Sequence, residues 1–255
     1  MRIAVIGDIH GNLPALDAVL DEIDEAGVDL VVVGGDVAPG PMPRETIERL
    51  MALGDRARFV RGNADRELIT CFDGEPPEVE LPDHLYALIT WSAGQLERPH
   101  RDFLAGFEQR VVLDVDGLGS VLCCHASPRN DMDVFTVRSP DERVRTFFAG
   151  VEQRLVTCGH THMQFERDLD GIHIVNVGSV GLPYGEPGAY WALLGPEVTL
   201  RRTAYDLERA ADLVRRTGYP MAAEFAARNV LDPPSAEEAI TVFERMSDRA
   251  SERRP

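Results

Sequence analysis

The sequence contains few cysteines and no apolar run long enough to cross a membrane. Four cysteines without a CxxC pair are too few for a disulfide scaffold in 255 residues, so we expect buried, reduced thiols at Cys71, Cys123, Cys124 and Cys158. No window approaches the roughly 20 apolar residues of a membrane span. The N-terminus lacks a basic segment followed by an apolar stretch and a cleavage site. We therefore expect a cytoplasmic protein without membrane association.

Basic residues are also scarce in this chain. Lys and Arg number 26 against 43 Asp and Glu, which gives a formal net charge of −17. Such a balance opposes the broad cationic surface that binds long nucleic acids, so we exclude this class of partner. A small phosphorylated substrate would need a local cationic site, and bound divalent metals would provide one.

Length and apolar content favour one catalytic domain with small additions. The chain has 255 residues, of which 44% are apolar, enough to bury a full core. We predict a domain over 1–205 with a helical cap inserted at about 65–110, and a C-terminal helical appendage over 206–255. The cap is interpreted either as a surface helix pair or as a substrate-shaping element. The sequence leaves the oligomeric state open.

The first third of the chain alternates strands and helices. Apolar runs over 3–6, 30–33 and 59–60 are typical of strands that are covered on both faces. A predicted helix that Pro14 opens and Gly27 ends separates the first two runs. This alternation implies parallel strands joined by right-handed crossovers.

The later half adds hairpins and further helices. Three dipeptides typical of tight turns separate strand-like runs: Asp116-Gly117, Asp170-Gly171 and Gly195-Pro196. The sheets are therefore expected to be mixed. Ser139 as N-cap, followed by Pro140, predicts a helix over 140–150. Asp206 begins the first of three predicted C-terminal helices, and the other two cover 222–229 and 235–248.

Seven side chains of metal-binding type lie in five short segments spread over more than half of the chain. The segments are Gly7-Asp8-Ile9-His10, Gly35-Asp36, Gly62-Asn63, His125 and Gly159-His160-Thr161-His162. Four of them directly follow an apolar run, and ligands of α/β folds sit beyond the carboxyl ends of such strands. We therefore expect the donors to converge in space.

In their order along the chain, these segments resemble the DxH, GD, GN, H and GHxH motifs of the calcineurin-like metallophosphoesterase family. The resemblance covers roughly residues 1–200 and is nearest to the small bacterial and archaeal phosphodiesterase branch. Each motif alone is weak evidence, but five in order beside strands are strong evidence. The resemblance implies an α/β fold, a four-layer α/β/β/α sandwich of two mixed sheets, with a helical cap insertion and C-terminal helices.

The resemblance also implies two divalent transition metals. The ligands that it implies for the first metal are Asp8, His10, Asp36 and His162. Asp36 would bridge to the second metal, whose other ligands would be Asn63, His125 and His160. A mixed set of imidazole and oxygen donors suits Mn, Fe, Zn or Ni better than Ca, and manganese is the first expectation.

The nucleophile and the phosphate contacts follow from the same resemblance. A metal-bridging hydroxide is expected to attack phosphorus in line, while Asn12, Asn63 and His125 are the expected substrate contacts. The chain departs from many family members at Ala64, where they have a histidine thought to protonate the leaving oxygen. No catalytic side chain is therefore assigned. Asp65, where the family often has an acidic partner of that histidine, is interpreted as a cap of the following helix.

The departure at Ala64 favours hydrolysis of small phosphodiesters, including nucleotide-derived ones. A phosphatase of phosphoproteins or of dinucleoside polyphosphates is the nearest alternative. An answer from another class is a catalytically weak, metal-dependent binding or scaffold protein. The missing histidine and the extra C-terminal helices favour that answer, whereas the complete ligand set argues against it.

The remaining polar residues of chemical interest are interpreted as structural. His84 and His100 lie in the predicted cap, and His173 lies in a hairpin strand. Arg66 and Arg129 are interpreted as solvated surface residues, as is Arg138, because 26 basic residues are available for such positions.

Overall fold

A computed structural model describes residues 1–77 and 82–252 of the chain, so residues 78–81 of the predicted cap and 253–255 of the predicted appendage lie outside it. The strands are β1 (Ile3–Ile6), β2 (Leu30–Val33), β3 (Ala57–Phe59), β4 (Arg110–Val115), β5 (Gly119–Cys124), β6 (Leu155–Cys158), β7 (Gln164–Leu169), β8 (Ile172–Val177), β9 (Ala189–Leu194) and β10 (Val198–Thr203). The helices are α1 (Leu13–Ala26), α2 (Pro43–Met51), α3 (Asn63–Phe72), α4 (Asp83–Ala93), α5 (Arg98–Ala105), α6 (Asp141–Phe147), α7 (Leu207–Arg215), α8 (Ala222–Phe225) and α9 (Ala236–Glu252). Within this part of the chain, none of the helices combines the length and apolarity that a membrane span requires.

The strands form two five-stranded mixed sheets. The first has the order β10-β9-β1-β2-β3, in which β1, β2 and β3 are parallel and the other two strands are antiparallel to their neighbours. The second has the order β4-β5-β6-β8-β7, with β5, β6 and β8 parallel and a hairpin at each edge. All three predicted hairpins are present, and the prediction of mixed sheets is confirmed.

The two sheets pack face to face, and helices cover their outer faces. Val5 and Val32 of the first sheet share a buried cluster with Val121 and Val175 of the second. Burying each such side chain contributes roughly 1.5–3 kcal/mol. Residues of α1, α2, α3 and α5 cover the first sheet, and a cluster around Phe135 that includes α6 covers the second. The layers therefore run α/β/β/α, which confirms the predicted fold class.

Helix α1 begins directly after the first donor segment and holds that segment in place. Its apolar residues recur every three or four positions and face the first sheet; they are Leu16, Val19, Leu20 and Ile23. The Asn12 side chain caps the helix by accepting a hydrogen bond from the backbone of Ala15 at 3.3 Å. Gly27 ends it in the left-handed conformation, at φ 63°.

Residues of the predicted cap and helices α7 and α8 of the C-terminal region pack on the side of the first sheet. Leu104 and Phe107 belong to the cluster outside the first sheet. Met42 and Trp91 belong to a cluster with α7 and α8, in which the rings of Trp91 and Tyr219 are 5.3 Å apart. The predicted division of the chain at residue 205 stays a prediction.

Helix α6 is shorter than predicted and begins one residue later. Ser139 is not its N-cap, because the Ser139 hydroxyl accepts a hydrogen bond from the backbone of Thr136 and donates one to Glu244 of α9. Glu244 also forms an ion pair with Arg143 of α6. Helix α9 therefore fastens the long segment that connects β5 to α6.

Candidate functional site

The backbone brings the five donor segments to one edge of the sandwich. Asp8 follows β1 and His125 follows β5, so the first and second sheets each contribute to this edge. Within the second sheet, the Gly159 backbone donates to the His125 carbonyl at 2.7 Å. Between the sheets, the His160 backbone donates to the Asp8 carboxylate at 3.0 Å. The structure thus places all seven predicted donors around one region.

Asp8, His10 and His162 form the first group of donors. Their candidate ligand atoms all lie within 4.8 Å of one another. Nε2 of His162 is 3.3 Å from Nε2 of His10 and 3.3 Å from Oδ1 of Asp8. Two imidazole nitrogens and a carboxylate oxygen therefore face one point, as the ligands of a transition metal do.

Asp36, Asn63, His125 and His160 form the second group. The ligand atoms of Asp36, His125 and His160 again lie within 4.8 Å of one another. Nε2 of His125 is 3.2 Å from Nδ1 of His160 and 3.1 Å from the side-chain amide of Asn63. This group adds a neutral amide to two imidazoles and a carboxylate.

The carboxylate of Asp36 lies between the two groups. Its Oδ2 atom is 3.8 Å from Nε2 of His10 in the first group and 3.4 Å from Nε2 of His125 in the second. Its Oδ1 atom accepts a hydrogen bond from the backbone of Ala64 at 2.8 Å. One oxygen is thus held by the protein while the other faces both groups, a position suited to bridging two cations.

A buried acceptor without a partner supports the fit of a cation to the first group. Asp8 is fully buried, and its Oδ1 atom has no hydrogen-bond partner among the described residues. His162, 3.3 Å away, compensates this buried anionic oxygen only in part, and a bound cation would compensate it further. The residues of the first group therefore fit a cation.

Backbone conformation aims most of these side chains. Asp8, His10, Asp36, His160 and His162 all have positive φ angles, between 47° and 67°. For residues other than glycine this left-handed conformation costs about 1–2 kcal/mol each. Such strain concentrates at functional sites, where the surrounding structure enforces it. Five of the seven donors therefore occupy backbone conformations whose free-energy cost is offset by the rest of the fold.

Carbonyl groups orient three of the histidines. Nδ1 of His125 lies 2.8 Å from the Gly34 carbonyl, and Nδ1 of His162 lies 3.0 Å from the Leu182 carbonyl. Nδ1 of His10 lies 3.3 Å from a carbonyl in the same way. Because a carbonyl only accepts, each Nδ1 carries a proton and each Nε2 is left to face the centre.

Burial and mutual contact set the charges of the centre. Burial opposes ionisation of Asp36, but His125 holds the pKa of this carboxyl well below its usual range. Burial lowers the pKa of His125, yet Asp36 outweighs it and raises that pKa to about 10. Burial and the neighbouring His125 lower the pKa of His160 to about 4. At neutral pH the carboxylate of Asp36 is anionic and His160 is neutral, the forms that bind metals, whereas His125 is protonated and would release a proton on binding a cation.

Asp65 does more than cap α3. It is fully buried, and its Oδ2 accepts hydrogen bonds from the backbone of Asp36 at 2.8 Å and of Gly62 at 3.0 Å. Its Oδ1 accepts from the backbone of Val37 at 2.9 Å. Burial and the nearby Asp36 raise the pKa of Asp65 to about 7. The side chain therefore clamps the loop of Asp36 to the loop that carries Asn63.

Asn12 and Tyr184 also lie beside the centre. Asn12 is buried, caps α1 and donates to the Gly181 carbonyl at 3.1 Å, so its predicted contact with phosphate stays a prediction. The ring of Tyr184 stacks on His162, with centroids 6.1 Å apart, and packs at 5.9 Å against Phe243 of α9. Sequence reasoning missed Tyr184 because no motif marks it.

Arg66 is largely buried, contrary to its interpretation as a solvated surface residue, whereas Arg129 is exposed, as interpreted. The side chain of Arg66 is 15% exposed and forms two hydrogen bonds with Asp131, at 3.0 and 3.3 Å. The side chain of Arg129 forms two with Asp133, both at 2.7 Å. Carboxylates in the segment after His125 hold both arginines near the centre.

The sequence matches the family model of the calcineurin-like phosphoesterase superfamily domain over residues 1–197. An uncharacterized protein of Methanocaldococcus jannaschii is 26% identical over 238 residues, which cover 86% of this chain and 93% of that protein. The phosphodiesterase YfcE of Escherichia coli is 25% identical over 207 residues, 78% of this chain and 89% of that one. The symmetrical bis(5'-nucleosyl)-tetraphosphatase of Klebsiella pneumoniae is 31% identical over 141 residues, 54% of this chain but only 47% of that protein.

Two solved structures share the fold over most of their length. A hypothetical protein from Pyrococcus horikoshii superposes with a TM-score of 0.77 at 22% identity, over 92% of this chain and 99% of that one. A metallophosphoesterase from Sphaerobacter thermophilus superposes with a TM-score of 0.67 at 28% identity, over 89% of this chain and 98% of that one. The first likeness concerns the fold alone.

Replacing Gly62 by alanine tests the packing around Asp36. A Cβ at Gly62 would overlap the Asp36 carboxylate and lie 2.6 Å from the Asp36 backbone nitrogen. Gly62→Ala should therefore displace this carboxylate. The amount of Mn²⁺ bound per chain should fall as a result. Gly94→Ala is the matched control, because a Cβ there meets its nearest neighbour at an ordinary 3.4 Å. Metal analysis after dialysis measures the effect. Wild-type Mn²⁺ content in Gly62→Ala would refute this packing argument.

Replacing Asp65 by asparagine tests the clamp without touching a donor. The amide leaves one acceptor oxygen for three backbone N–H groups, so Asp65→Asn should weaken Mn²⁺ binding by about 10- to 100-fold. Titration calorimetry of metal-free protein with Mn²⁺ measures the change. Asp83→Asn, at the exposed start of α4, is the control. An unchanged dissociation constant in Asp65→Asn would show that the clamp does not support the centre.

Proposed function

The chain belongs to the calcineurin-like phosphoesterase superfamily, a family of hydrolases, and on that premise we propose that it hydrolyses small phosphodiesters, including nucleotide-derived ones. One observation carries this proposal: two groups of donors share Asp36 at one edge of the sandwich, beside Ala64. We assign the seven donors as ligands of two divalent transition metals, with manganese first and Fe, Zn or Ni as alternatives.

The residues of the centre divide the work between binding and positioning. When bound, a pair of divalent cations supplies Lewis-acid polarisation of the phosphoryl oxygens and activates water as the nucleophile. Asp36 fixes the spacing of the two donor groups. Asn63 and His125 stand at the second group, where a phosphoryl oxygen can approach them. The amide of Asn63 is neutral, so it adds a donor without repelling phosphate.

Ala64 narrows the class of substrate. It is the second residue of α3, follows Asn63, and its methyl group cannot give a proton to a leaving oxygen. Unactivated alkyl monoesters depend on such a proton, because an alkoxide is a poor leaving group. Diesters and esters with good leaving groups depend on it less. Position 64 therefore favours phosphodiesters over alkyl monoesters.

The other candidate functions have weaker support. A tetraphosphatase activity has in its favour the relative of that name, which shares about half of its length with this chain. The alanine at position 64, in place of the family's histidine, favours a metal-dependent scaffold without turnover. The complete set of seven donors argues for catalysis instead. The cytoplasmic location expected from the sequence stays a prediction.

Removal and return of metal tests the hydrolase. Chelator-treated protein should lose hydrolysis of bis-p-nitrophenyl phosphate and regain it on addition of Mn²⁺, because the substrate would then meet a restored cationic centre. Asp8→Asn should prevent the recovery, whereas the exposed Asp83→Asn should recover like the wild type. Release of p-nitrophenolate measures the rate. No activity with Mn, Fe, Zn or Ni would reject the hydrolase and favour the scaffold.

Restoring a histidine at Ala64 tests the account of leaving-group protonation. Ala64→His should raise the rate with an alkyl phosphate monoester relative to bis-p-nitrophenyl phosphate, by about tenfold or more, since general acid catalysis contributes about 10²–10⁴-fold. Ala64→Asn is the control, because an amide fills similar space without a titratable proton. Phosphate release and p-nitrophenolate release give the two rates. An equal ratio in both variants would contradict this role of position 64.

A further inference from the structure

A cleft of about 340 Å³ opens beside His125, on the side of the second donor group. This volume falls within the roughly 300–1,000 Å³ of small-molecule sites. Its lining includes three arginines, Arg61, Arg66 and Arg129, together with Gln109. A cationic lining is unusual in a chain whose net charge is −17, and the metal ligands do not account for it.

The end of the first sheet places Arg61 and Gln109 side by side. Val60 forms a parallel bridge with Glu108, and the backbone of Arg61 donates to the Glu108 carbonyl at 2.7 Å. Arg61 and Gln109, the residues that follow the bridge, therefore lie next to each other at the end of the sheet. Arg61 also directly precedes the Gly62-Asn63 segment, so its backbone is tied to the second donor group.

The three arginines differ in how their charges are balanced. Asp131 pairs with Arg66, and Asp133 pairs with Arg129, at 2.7–3.0 Å. Arg61 forms no ion pair within residues 1–77 and 82–252, and its Nε atom is buried without a hydrogen-bond partner. Because Arg61 lines the cleft and its charge is not balanced by a carboxylate of the described residues, an anion that binds in the cleft can pair with its guanidinium.

We propose that Arg61, with Gln109, binds a second phosphate group of the substrate, beyond the phosphodiester that is cleaved. This inference rests on the proposed function and names its substrate class: phosphodiesters that carry a further phosphate on one side. The guanidinium presents a planar fork of donors that matches two phosphate oxygens, and Gln109 adds an uncharged donor. Arg66 and Arg129 line the same cleft, with their charges balanced by Asp131 and Asp133.

A matched pair of substrates tests the subsite. Thymidine 5'-(p-nitrophenyl phosphate) and its 3'-phosphorylated counterpart share the bond to be cleaved and differ only in the second phosphate. The wild-type protein with Mn²⁺ should favour the 3'-phosphorylated ester by at least tenfold in kcat/KM, mainly through a lower KM. Arg61→Gln should reduce this preference by about tenfold or more, and Arg61→Lys should retain part of it.

Arg58→Gln is the matched control for charge removal from the same part of the sheet. Arg58 lies in β3, is exposed, and pairs with Glu108 outside the cleft lining, so its loss should leave the preference unchanged. Thermal unfolding and Mn²⁺ content should match the wild type in every variant, which separates a lost contact from a lost fold.

The outcomes distinguish this inference from the proposed function. If the metal-loaded protein cleaves neither thymidine ester nor bis-p-nitrophenyl phosphate, the proposed function fails. If both thymidine esters are cleaved with equal kcat/KM, the subsite alone is overturned. A preference that survives Arg61→Gln overturns the assignment to Arg61 in the same way.

Discussion

The position of Asp36 is the constraint on which the rest of the site depends. Its Oδ2 atom faces both donor groups, so any displacement of this carboxylate changes both at once. Three residues in the segment after β3 hold it: the Ala64 backbone binds Oδ1, Asp65 binds the Asp36 backbone, and Gly62 leaves room for the carboxylate. The segment that follows β3 therefore positions Asp36, which follows the neighbouring strand β2.

The conformation of the donor loops is stable only because burial of apolar residues in the sandwich offsets its free-energy cost. Five donors hold left-handed backbone conformations at about 1–2 kcal/mol each, and the buried Asp8 and Asp36 have lost most of their contact with water. Burial of the apolar residues between and outside the sheets offsets these costs. Backbone hydrogen bonds join the loops that carry the donors, so these side chains are positioned by the protein itself.

Local patterns made the fold and the convergence of the seven predicted donors predictable, whereas contacts between distant segments could not be predicted. Apolar runs end in Asp, Asn or His, and that signal lies within a few residues of each strand. The clamp from Asp65 to Asp36 depends on how two loops meet in space, and Tyr184 reaches His162 across the end of the sandwich. Ser139 illustrates the same limit, because the partner that diverts it from capping α6 is Glu244, 105 residues further along the chain.

The distribution of charge connects the centre to substrate selection. A net charge of −17 repels anions from the surface as a whole, so attraction is expected only at cations that the donors would hold and at the cleft. Within the described lining of that cleft, carboxylates balance Arg66 and Arg129, which leaves the charge of Arg61 for a ligand. The donor centre with bound cations and Arg61 would be two separate positive charges. Binding at both would depend on the spacing of two phosphates as well as on their number. Selectivity at this site then depends on the distance between the two phosphates of the substrate. A broad basic surface would bind phosphates at many different spacings.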